Sequence, residues 1–410
     1  MASLLFVVKN VLFWPFGQAI CESFTGSCLS DSNYFTFAGK PGSECNKERR
    51  KTMGFSPDIT ERLARARSDL RMGVPIVLAE GLIVLAVETL DSARLAHLHT
   101  LNAEPVLTIT GWRASTLKAY AYDGDVARVV IPAQMALPWV QSIANPADDL
   151  NNPMKGPLQT LRDGDADPHR AAIALAKAAR LLPAIVSIDV DDPTTFAATH
   201  NLTLIPASEV IKAELSAFNR IIHARLPLEV SEAGRLHIFR PDDGAEEHYA
   251  IEIGQPDRAQ PVLSRLHSAC LTGDLLGSLK CDCGPQLRAA LGHMGAEGQG
   301  VLLYLNQEGR GIGLANKMRA YSLQDQGFDT VEANHRLGFE DDERDFRIGA
   351  EILKMMGFDA VRLMTNNPAK VDRMQGAGIT VAERVPLKVG ENQHNSAYLA
   401  TKAAKSGHLL

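Results

Sequence analysis

The chain has 410 residues, 45% of them hydrophobic and 22% charged, a balance typical of a soluble globular protein with two or three domains. A formal net charge of −6 at pH 7 argues against nucleic acid as a partner. A smaller anionic ligand would need a local cluster of basic residues to bind. Six cysteines in a chain of this length do not make a disulfide framework, which favours a reducing, cytoplasmic setting.

The first 52 residues differ from the rest in composition. The opening stretch "MASLLFVVKNVLFWPFG" is apolar, but Lys9 and Pro15 interrupt it, and it is shorter than the roughly 20 residues that span a bilayer. We interpret residues 1–52 as a disordered extension, with an organelle-targeting peptide as the alternative. No later stretch of the sequence is apolar for long enough to cross a membrane, so we expect no membrane partner.

Residues 53–223 alternate predicted helices with predicted strands. A helix capped at Ser56 is expected in "SPDITERLARARSDLRMG", followed by strands in "VPIVLA" and "LIVLAVETL". Next come a helix in "DSARLAHLHTLN", strands in "PVLTIT" and "AYDGDVARVVIP", and a helix leading into a strand in "DPHRAAIALAKAARLLPAIVSIDV". This alternation predicts an α/β or α+β domain with a mixed sheet. Asp123, Asp125 and Lys155 suggest no chemistry, and we expect a structural or dimerising role for the domain.

A second domain is predicted over residues 224–410, after a helical segment that ends near His223. Strands are expected in "RLHIFRP", "EEHYAIEIG" and "PVLSRLHS", then a long helix from Cys283 and a strand in "GVLLYLN". Helices are expected in "IGLANKMRAYSLQDQ" and "DERDFRIGAEILKMMG", and a strand in "AVRLMT" leads into a helix whose first turn holds Pro368. This domain is also predicted to be α/β, with a mixed sheet.

Three cysteines cluster in "ACLTGDLLGSLKCDCG". Cys281 and Cys283 are separated by one residue, and Cys270 lies eleven positions before Cys281. A Cys-x-Cys pair is too strained to close its own disulfide easily, but it can direct two thiolates at one metal ion. Three protein ligands with an open fourth position are typical of a catalytic zinc site. A structural site closed by a fourth ligand, or three buried thiols, are the alternatives.

Three further segments carry charge near predicted strand or helix ends. In "YLNQEGRGIGLANKMRAY", three glycines between a strand and a helix would let the backbone approach a phosphate. In "ANHRLGFEDDERDF", Asp342 and Arg344 are expected at the start of the next helix, either as a cap or as a carboxylate base beside a phosphate-binding guanidinium. In "TNNPAK", Thr365 and Lys370 occupy a position where anions bind in open α/β sheets, or where a helix is simply capped.

Together, "RLHSACLTGDLLGSLKCDCGPQL", "NQEGRGIGLANKMRAYSLQDQG", "DTVEANHRLGFEDDERDF", "RLMTNNPAK" and "GHLL" closely resemble the GTP cyclohydrolase II family of riboflavin biosynthesis. The resemblance covers about residues 224–410 and implies the fold of that family for the C-terminal domain. It implies hydrolytic opening of the imidazole ring of GTP with release of formate and pyrophosphate. The expected product is 2,5-diamino-6-(5-phosphoribosylamino)pyrimidin-4(3H)-one.

The resemblance also implies roles for individual residues. One Zn²⁺ per subunit would be held by Cys270, Cys281 and Cys283, and its water would attack C8, while Mg²⁺ would accompany the phosphates. Arg344 would be the nucleophile at the α-phosphate with Asp342 as proton acceptor, and Tyr321 would assist at the ring. Nucleotide contacts are expected from Arg265, Leu266, His267, Ser268, Ala269, Gln286, Glu308, Gly309, Arg310, Thr330, Thr365 and Lys370. Relatives suggest a cytoplasmic homodimer that acts on a small nucleotide.

Two positions depart from the family pattern. Ala269 stands where the family usually has the glutamate of "HSEC", and Asn306 where it has the arginine of "RQEGR"; both are expected to flank the nucleotide pocket. The N-terminal half lacks the acidic loop of dihydroxybutanone phosphate synthase. It more closely resembles the N-terminal domain of a cyclohydrolase-II-like branch, some members of which are linked to uracil catabolism. The alternatives to GTP opening are therefore a zinc hydrolase acting on a uracil nucleotide, or a non-catalytic nucleotide-binding regulator.

Overall fold

The computed structural model describes residues 54–101, 103–212 and 215–395. The extension predicted at residues 1–52 and the "GHLL" motif lie outside these ranges. Within them, no helix combines the length and the apolar character needed to span a membrane.

In the described part of the N-terminal half, six strands form one sheet. They are β1 (Ile76–Leu78), β2 (Leu82–Ala86), β3 (Val106–Thr110), β4 (Val126–Val130), β5 (Ala184–Asp189) and β6 (Thr203–Ile205). Their order is β4-β3-β5-β2-β1-β6, and every neighbouring pair is antiparallel except the parallel pair of β1 and β6. Strands such as "LIVLA" of β2 are buried on both faces, which explains their continuous rather than alternating apolar sequence.

Helices cover both faces of this sheet. They are α1 (Ile59–Arg71), α2 (Ser92–Leu98), α3 (Gly111–Leu117), α4 (Leu137–Ala144), α5 (Asp167–Ala178), α6 (Pro193–His200) and α7 (Ala207–Ile211). The alanine-rich side of α5 packs into the core on one face, while α2 and α4 contribute to the core on the other. The cap of α1 is Asp58 rather than the predicted Ser56, because Asp58 and Glu61 exchange side-chain-to-backbone hydrogen bonds in a capping box.

Seven strands of the described C-terminal half form a second sheet. They are β7 (Phe218–Arg225), β8 (Gly234–Pro241), β9 (His248–Ile253), β10 (Val262–Ser268), β11 (Gly300–Leu305), β12 (Ala360–Met364) and β13 (Thr380–Val385). The order is β13-β12-β10-β11-β9-β8-β7, parallel from β13 to β11 and antiparallel from β11 to β7. Two mixed sheets with packed helices confirm the predicted fold class.

The helices of this half are α8 (Cys283–Glu297), α9 (Leu314–Asp325), α10 (Thr330–Leu337), α11 (Arg347–Met355) and α12 (Pro368–Gly376). Because β10, β11 and β12 are parallel, their carboxyl ends meet at one edge of the sheet. The loops that leave this edge are where open α/β sheets bind ligands.

Two predictions in this half are wrong. The segment that ends near His223 is strand β7, not a helix; it is an edge strand exposed over nearly its whole length, so no buried pattern marks its period. The second sheet therefore begins at Phe218, while the domain boundary at residue 224 stays a prediction. The helix expected to start at Asp342 starts at Arg347, because the Asp342 carboxylate is engaged by Arg344 rather than by helix N–H groups.

Candidate active site

A cleft opens at the edge where β10, β11 and β12 end. Every predicted site residue except Asp342 lines it. The lining is drawn from segments as distant in the chain as Arg265 and Lys370, and only the fold brings them together. Gln324 and Asn334 also line the cleft and were not selected from the sequence, and Lys317, noted there only as a charge of the glycine-rich segment, lines it as well.

The three cysteines converge at one end of the cleft. Their sulfur atoms all lie within 4.8 Å of one another, and Cys270 Sγ is 3.7 Å from Cys281 Sγ. Two thiolates bound tetrahedrally at about 2.3 Å from one zinc ion would be about 3.8 Å apart, so the spacing fits such an ion. Among the described residues, no fourth histidine, cysteine or carboxylate joins Cys270, Cys281 and Cys283. The group therefore resembles an open catalytic site more than a closed structural one.

A short π-helical turn, Leu271–Leu275, shapes the cluster. Cys270 caps this turn, and its sulfur accepts a hydrogen bond from the N–H of Gly273 at 3.3 Å. A Cβ atom at Gly273 would lie 2.7 Å from Cys281 Sγ and 3.1 Å from Cys270 Sγ. Only glycine lets the backbone approach the sulfurs this closely.

Asp274 ties the same turn to the sheet. Its carboxylate accepts the N–H of Cys270 at 3.0 Å and the hydroxyl of Tyr304 at 3.1 Å, and it lies 3.0 Å from His267 Nε2. Burial lowers the pKa of His267 despite this carboxylate. The backbone of Cys270 is therefore held by Asp274 independently of the contacts that its sulfur makes.

Lys317, on α9, is hydrogen-bonded to the cluster. Its Nζ lies 3.0 Å from Cys270 Sγ, 2.8 Å from Thr272 Oγ1 and 2.9 Å from Glu308 Oε1. Burial opposes the charge of Lys317, but the bonds to Cys270 and Glu308 raise its pKa above the usual value. Its place four residues before Tyr321, on the same helix face, is the signal that could have identified it.

The thiols influence one another's ionisation. Hydrogen bonds from Cys281, Cys283 and Lys317 lower the pKa of Cys270, so this sulfur is the first thiolate. The hydrogen bonds to this sulfur, and to a smaller extent its charge, in turn raise the pKa of both Cys281 and Cys283. A bound cation reverses that repulsion, which couples metal binding to the release of protons.

Asp342 and Arg344 form a two-point ion pair at the cleft, which Arg344 lines. Arg344 Nε donates to Asp342 Oδ1 at 2.8 Å, and Nη2 donates to Oδ2 at 2.7 Å. Although burial opposes ionisation, Arg344 holds the pKa of Asp342 below its usual range. The guanidinium lines the cleft and reaches Ser268 Oγ at 3.4 Å, while the carboxylate holds it from the far side.

The end of β12 and the start of α12 present groups suited to an anion. Asn367 caps the helix by accepting the N–H of Ala369 at 3.0 Å, and Thr365 Oγ1 accepts the N–H of Asn367 at 3.0 Å. Lys370, in the first turn, donates to the carbonyl of Leu266 at 3.1 Å. A helix N-terminus with a nearby ammonium is a general phosphate site, so the capping and anion-binding interpretations are compatible here.

Arg265 is a buried cation in the floor of the cleft. Its guanidinium donates to the carbonyl of Met364 at 3.2 Å and to Gln286 Oε1, which also lines the cleft. Burial lowers the pKa of Arg265 to about 10. Its Nε is buried and has no hydrogen-bond partner among the described residues.

The glycine-rich turn joins the cysteine turn to the acidic loop. Gly309 and Arg310 both have positive φ, 66° and 63°, so the turn doubles back tightly after β11. Glu308 accepts the N–H of Leu271 at 2.6 Å, and Arg310 donates to the carbonyl of Asp341 at 3.2 Å. The two sides of the cleft are thereby connected through this turn.

Tyr321 and Thr330 line the outer wall. The Tyr321 ring has Lys280 Nζ at 5.2 Å and Lys317 Nζ at 5.7 Å from its centroid, close enough for cation–π attraction. Thr330, the first residue of α10, accepts a hydrogen bond from Gln324 at 3.0 Å. An aromatic face and a polar wall of this kind suit a flat heterocycle.

Of the two positions that depart from the family pattern, Ala269 lines the cleft and Asn306 does not. The side-chain amide of Asn306 donates to the backbone carbonyl of Glu247. The backbone carbonyl of Asn306 accepts a hydrogen bond from the Arg180 guanidinium at 3.1 Å. Asn306 is therefore not part of the cleft lining, and the expectation that it flanks the pocket stays a prediction.

Comparison with known proteins identifies a relative over most of the chain and others over its C-terminal part. The family model for GTP cyclohydrolase II matches residues 219–386. A GTP cyclohydrolase-2 of Azospirillum brasilense is 43% identical over 359 residues, covering 84% of this chain and 93% of that protein. A GTP cyclohydrolase-2 of Azotobacter vinelandii is 61% identical over 175 residues, covering 43% of this chain and 84% of that protein. A solved two-domain 3,4-dihydroxy-2-butanone 4-phosphate synthase of A. baumannii covers 79% of this chain at 18% identity, with a TM-score of only 0.28.

Proposed function

The chain belongs to the GTP cyclohydrolase II family, which opens the imidazole ring of GTP in riboflavin biosynthesis, and we propose that it does so in the cleft between its cysteine cluster and Arg344. The observation that carries the proposal is that a site fit for a metal ion and a site fit for a phosphate share one cavity. Ring opening needs a nucleophile at carbon, and pyrophosphate release needs cationic groups at phosphorus.

We assign one Zn²⁺ per subunit to Cys270, Cys281 and Cys283, since thiolates select zinc among the common divalent ions. When bound, zinc supplies a water whose pKa is lowered to near 7 and which can attack carbon. Lys317 stabilises the thiolate of Cys270, and Asp274 holds its backbone N–H. Mg²⁺ is assigned to the triphosphate because it prefers oxygen ligands and phosphate groups.

At the phosphate end, Arg344 is the proposed nucleophile toward the α-phosphate. A guanidinium is a poor nucleophile at its usual pKa, so it needs a base to take its proton. Asp342 is in place for this, with an oxygen 2.8 Å from Arg344 Nε. The new bond joins an Arg344 nitrogen to phosphorus, the bond to the leaving pyrophosphate breaks, and the proton passes to Asp342. Water must then cleave the nitrogen–phosphorus bond, which frees the phosphorylated product and returns the proton and Arg344 to their starting state. Thr365 and Lys370 would hold the phosphate oxygens.

Tyr321 and Arg265 would contact the nucleoside portion. The Tyr321 ring forms the aromatic part of the wall, and Arg265 lines the cleft as a buried cation. The other predicted contacts complete the lining: Leu266, His267, Ser268, Ala269, Gln286, Glu308, Gly309, Arg310 and Thr330.

GTP fits these findings better than a uracil nucleotide. The relative from Azospirillum brasilense shares the N-terminal half as well as the C-terminal half, so this half does not by itself indicate a different substrate. Ala269 lines the cleft and Asn306 does not, so of the two changed positions only Ala269 is placed to contact the base. A non-catalytic regulator would have no need for the aligned Asp342–Arg344 pair.

We also propose that the protein acts as a cytoplasmic homodimer whose other partner is the nucleotide alone, with neither nucleic acid nor membrane. The edge strand β7 exposes Ile221 and Ile222, which gives a second copy an apolar strand to cover. Analytical ultracentrifugation tests this, and a monomer at micromolar concentration would contradict it.

The experiment for the activity uses purified protein with zinc, magnesium and either GTP or UTP, following formate, pyrophosphate and ultraviolet absorbance. We expect formate and pyrophosphate from GTP only. Turnover of UTP alone would favour the pyrimidine hydrolase, and tight GTP binding without products would favour the regulator. Cys281→Ser should lose both metal and turnover; full activity in metal-free protein would refute the metal assignment.

A further inference from the structure

Three residues of the N-terminal half contact the loops that form the active site. We call Glu88, Lys177 and Arg180 the clasp. Lys177 lies in the last turn of α5, Arg180 follows that helix, and Glu88 follows β2. None of the three lines the cleft, so the clasp can influence the reaction only through the residues it holds.

Lys177 pairs with Glu343, the residue between Asp342 and Arg344. Lys177 Nζ lies 2.7 Å from Glu343 Oε1, and each side chain is 22% exposed, so this pair is partly protected from solvent. The Glu343 backbone is held as well, because its N–H donates to the carbonyl of Arg310 at 3.1 Å. A Cβ at Gly311 would lie 2.8 Å from the Glu343 carbonyl, so the glycine-rich turn packs directly on this loop.

Arg180 and Glu88 hold the glycine-rich turn and helix α9. Arg180 has positive φ, 60°, which presents its carbonyl to Asn316 Nδ2 at 3.1 Å. Its guanidinium donates to the carbonyl of Asn306 at 3.1 Å. Glu88 accepts from Arg319 at 3.0 Å. The helix that carries Lys317 and Tyr321 is therefore held by the N-terminal half at two points.

The pairing with Lys177 is important because of the charge of the loop. Residues 340–343 read Glu-Asp-Asp-Glu, and Arg344 follows them directly. If the Glu343 carboxylate lost its lysine, it would repel the neighbouring Asp342 carboxylate and become a second acceptor for the Arg344 guanidinium. The two-point alignment of Arg344 on Asp342 would then compete with an alternative pairing.

We propose that Lys177 is a positioning residue for the reaction at phosphorus, holding Glu343 so that Arg344 and Asp342 keep their alignment in the cleft. The proposal depends on the function proposed above for that pair. It gives the N-terminal half a role in catalysis: it supports the acidic loop without contacting the substrate.

The test compares two lysine or arginine variants that each break an ion pair between the halves. Lys177→Met removes the pair with Glu343, and Arg67→Met removes the pair of Arg67 with Asp243, which measures 2.8 Å and lies outside the cleft lining. Steady-state pyrophosphate release, zinc content and melting temperature are measured for each. We expect kcat to fall about tenfold in Lys177→Met, with KM for GTP and zinc content unchanged, since small misplacements of reacting groups cost rate. Arg67→Met should keep the wild-type kcat.

Lys177→Arg should restore kcat to within about twofold of wild type, because it keeps the charge that Glu343 requires. Glu343→Gln removes the carboxylate that would otherwise compete for Arg344, so this variant alone should lose little kcat, and in the Lys177→Met background it should recover most of the lost kcat. Equal kcat values for Lys177→Met and Arg67→Met, or a folded double variant no faster than Lys177→Met, would overturn the proposal while leaving the family activity intact. If wild-type protein releases no pyrophosphate from GTP, the proposed function fails and this inference fails with it.

Discussion

Lys317 Nζ donates to Cys270 Sγ at 3.0 Å, so a cation on helix α9 is bound to the first thiolate of the metal cluster. Lys317→Met removes this donor while keeping most of the side-chain volume. We expect zinc affinity to fall about 10- to 100-fold, as is usual for groups that support a metal ligand. Competition with a chromophoric chelator measures it.

The matched control is Lys280→Met. Lys280 also lies over the Tyr321 ring, but its Nζ pairs with Asp325 rather than with a sulfur. The Lys280→Met protein should bind zinc as tightly as the wild type. If the Lys317→Met protein also bound zinc that tightly, Lys317 would have no role in metal binding.

Gly273 allows the cysteine turn to close on the sulfurs. In Gly273→Ala, the new methyl group would lie 2.7 Å from Cys281 Sγ, so the turn must shift. Overpacking of this kind costs about 1–3 kcal/mol, and we expect zinc affinity to fall about tenfold or more. Zinc content after dialysis measures it. Gly292→Ala, on α8, is the control because its Cβ would meet no atom within 4 Å. Equal zinc content in the two variants would contradict the steric argument.

Asp342 orients Arg344 without lining the cleft. Asp342→Asn keeps the size of the side chain but removes the base, so kcat for pyrophosphate release should fall about 10²- to 10⁴-fold with little change in KM. Because the pKa of Asp342 is below its usual range, wild-type turnover should not decline from protonation of this group until the pH falls below that range. Asp341→Asn is the control, since Asp341 is more exposed and pairs with His335. A wild-type kcat in Asp342→Asn would exclude it as the base.

Most of the strands and helices could be predicted from the sequence because buried apolar runs and end signals mark them. Strand β7 could not, because it is exposed at the sheet edge and has no buried face to set a period. The loop that holds Asp342 and Arg344 was predicted as a helix start, since acidic residues before an apolar run resemble a first turn. Its actual geometry depends on the pairing of these two side chains with each other.

The residues of the candidate site also fall into two groups, those that the sequence could identify and those that it could not. Cys270, Cys281 and Cys283 could be selected because their spacing in the chain is short and chemically specific. The direction of the Asn306 side chain could not, because it depends on a hydrogen bond to Glu247 across the sheet. Lys177 could not either: its partner, Glu343, is 166 residues away along the chain. Local patterns predict ligands that are close in sequence, and they do not contain long-range pairings.

Two buried histidines predict loss of stability in acid. Burial lowers the pKa of His169 and of His248 from 6.5 to about 4. The unfolded chain therefore binds protons between pH 6.5 and 4 that the native state does not, so the stabilisation is complete above about pH 6.5 and is lost as the pH falls toward 4. Each histidine contributes on the order of 3 kcal/mol to the free energy of unfolding across that window.

Urea titrations between pH 4 and 7 measure this dependence. His169→Gln should flatten the slope of unfolding free energy against pH, because glutamine does not titrate. His200→Gln, at an exposed position at the end of α6, should leave the slope unchanged. Parallel curves for wild type and His169→Gln would refute the contribution of His169.

Residues proposed for the two chemical steps lie on segments that follow different strands of the sheet. Cys270 follows β10, Glu308 follows β11, and Lys370 follows β12, while the register of each strand is set by its neighbours in the sheet. The sheet anchors each segment separately, but the segments also hold one another, because Glu308 accepts the N–H of Leu271 and Arg310 donates to the carbonyl of Asp341. A change of length in the glycine-rich turn would therefore reach the groups for both steps, whereas a change beyond these contacts can affect one step alone.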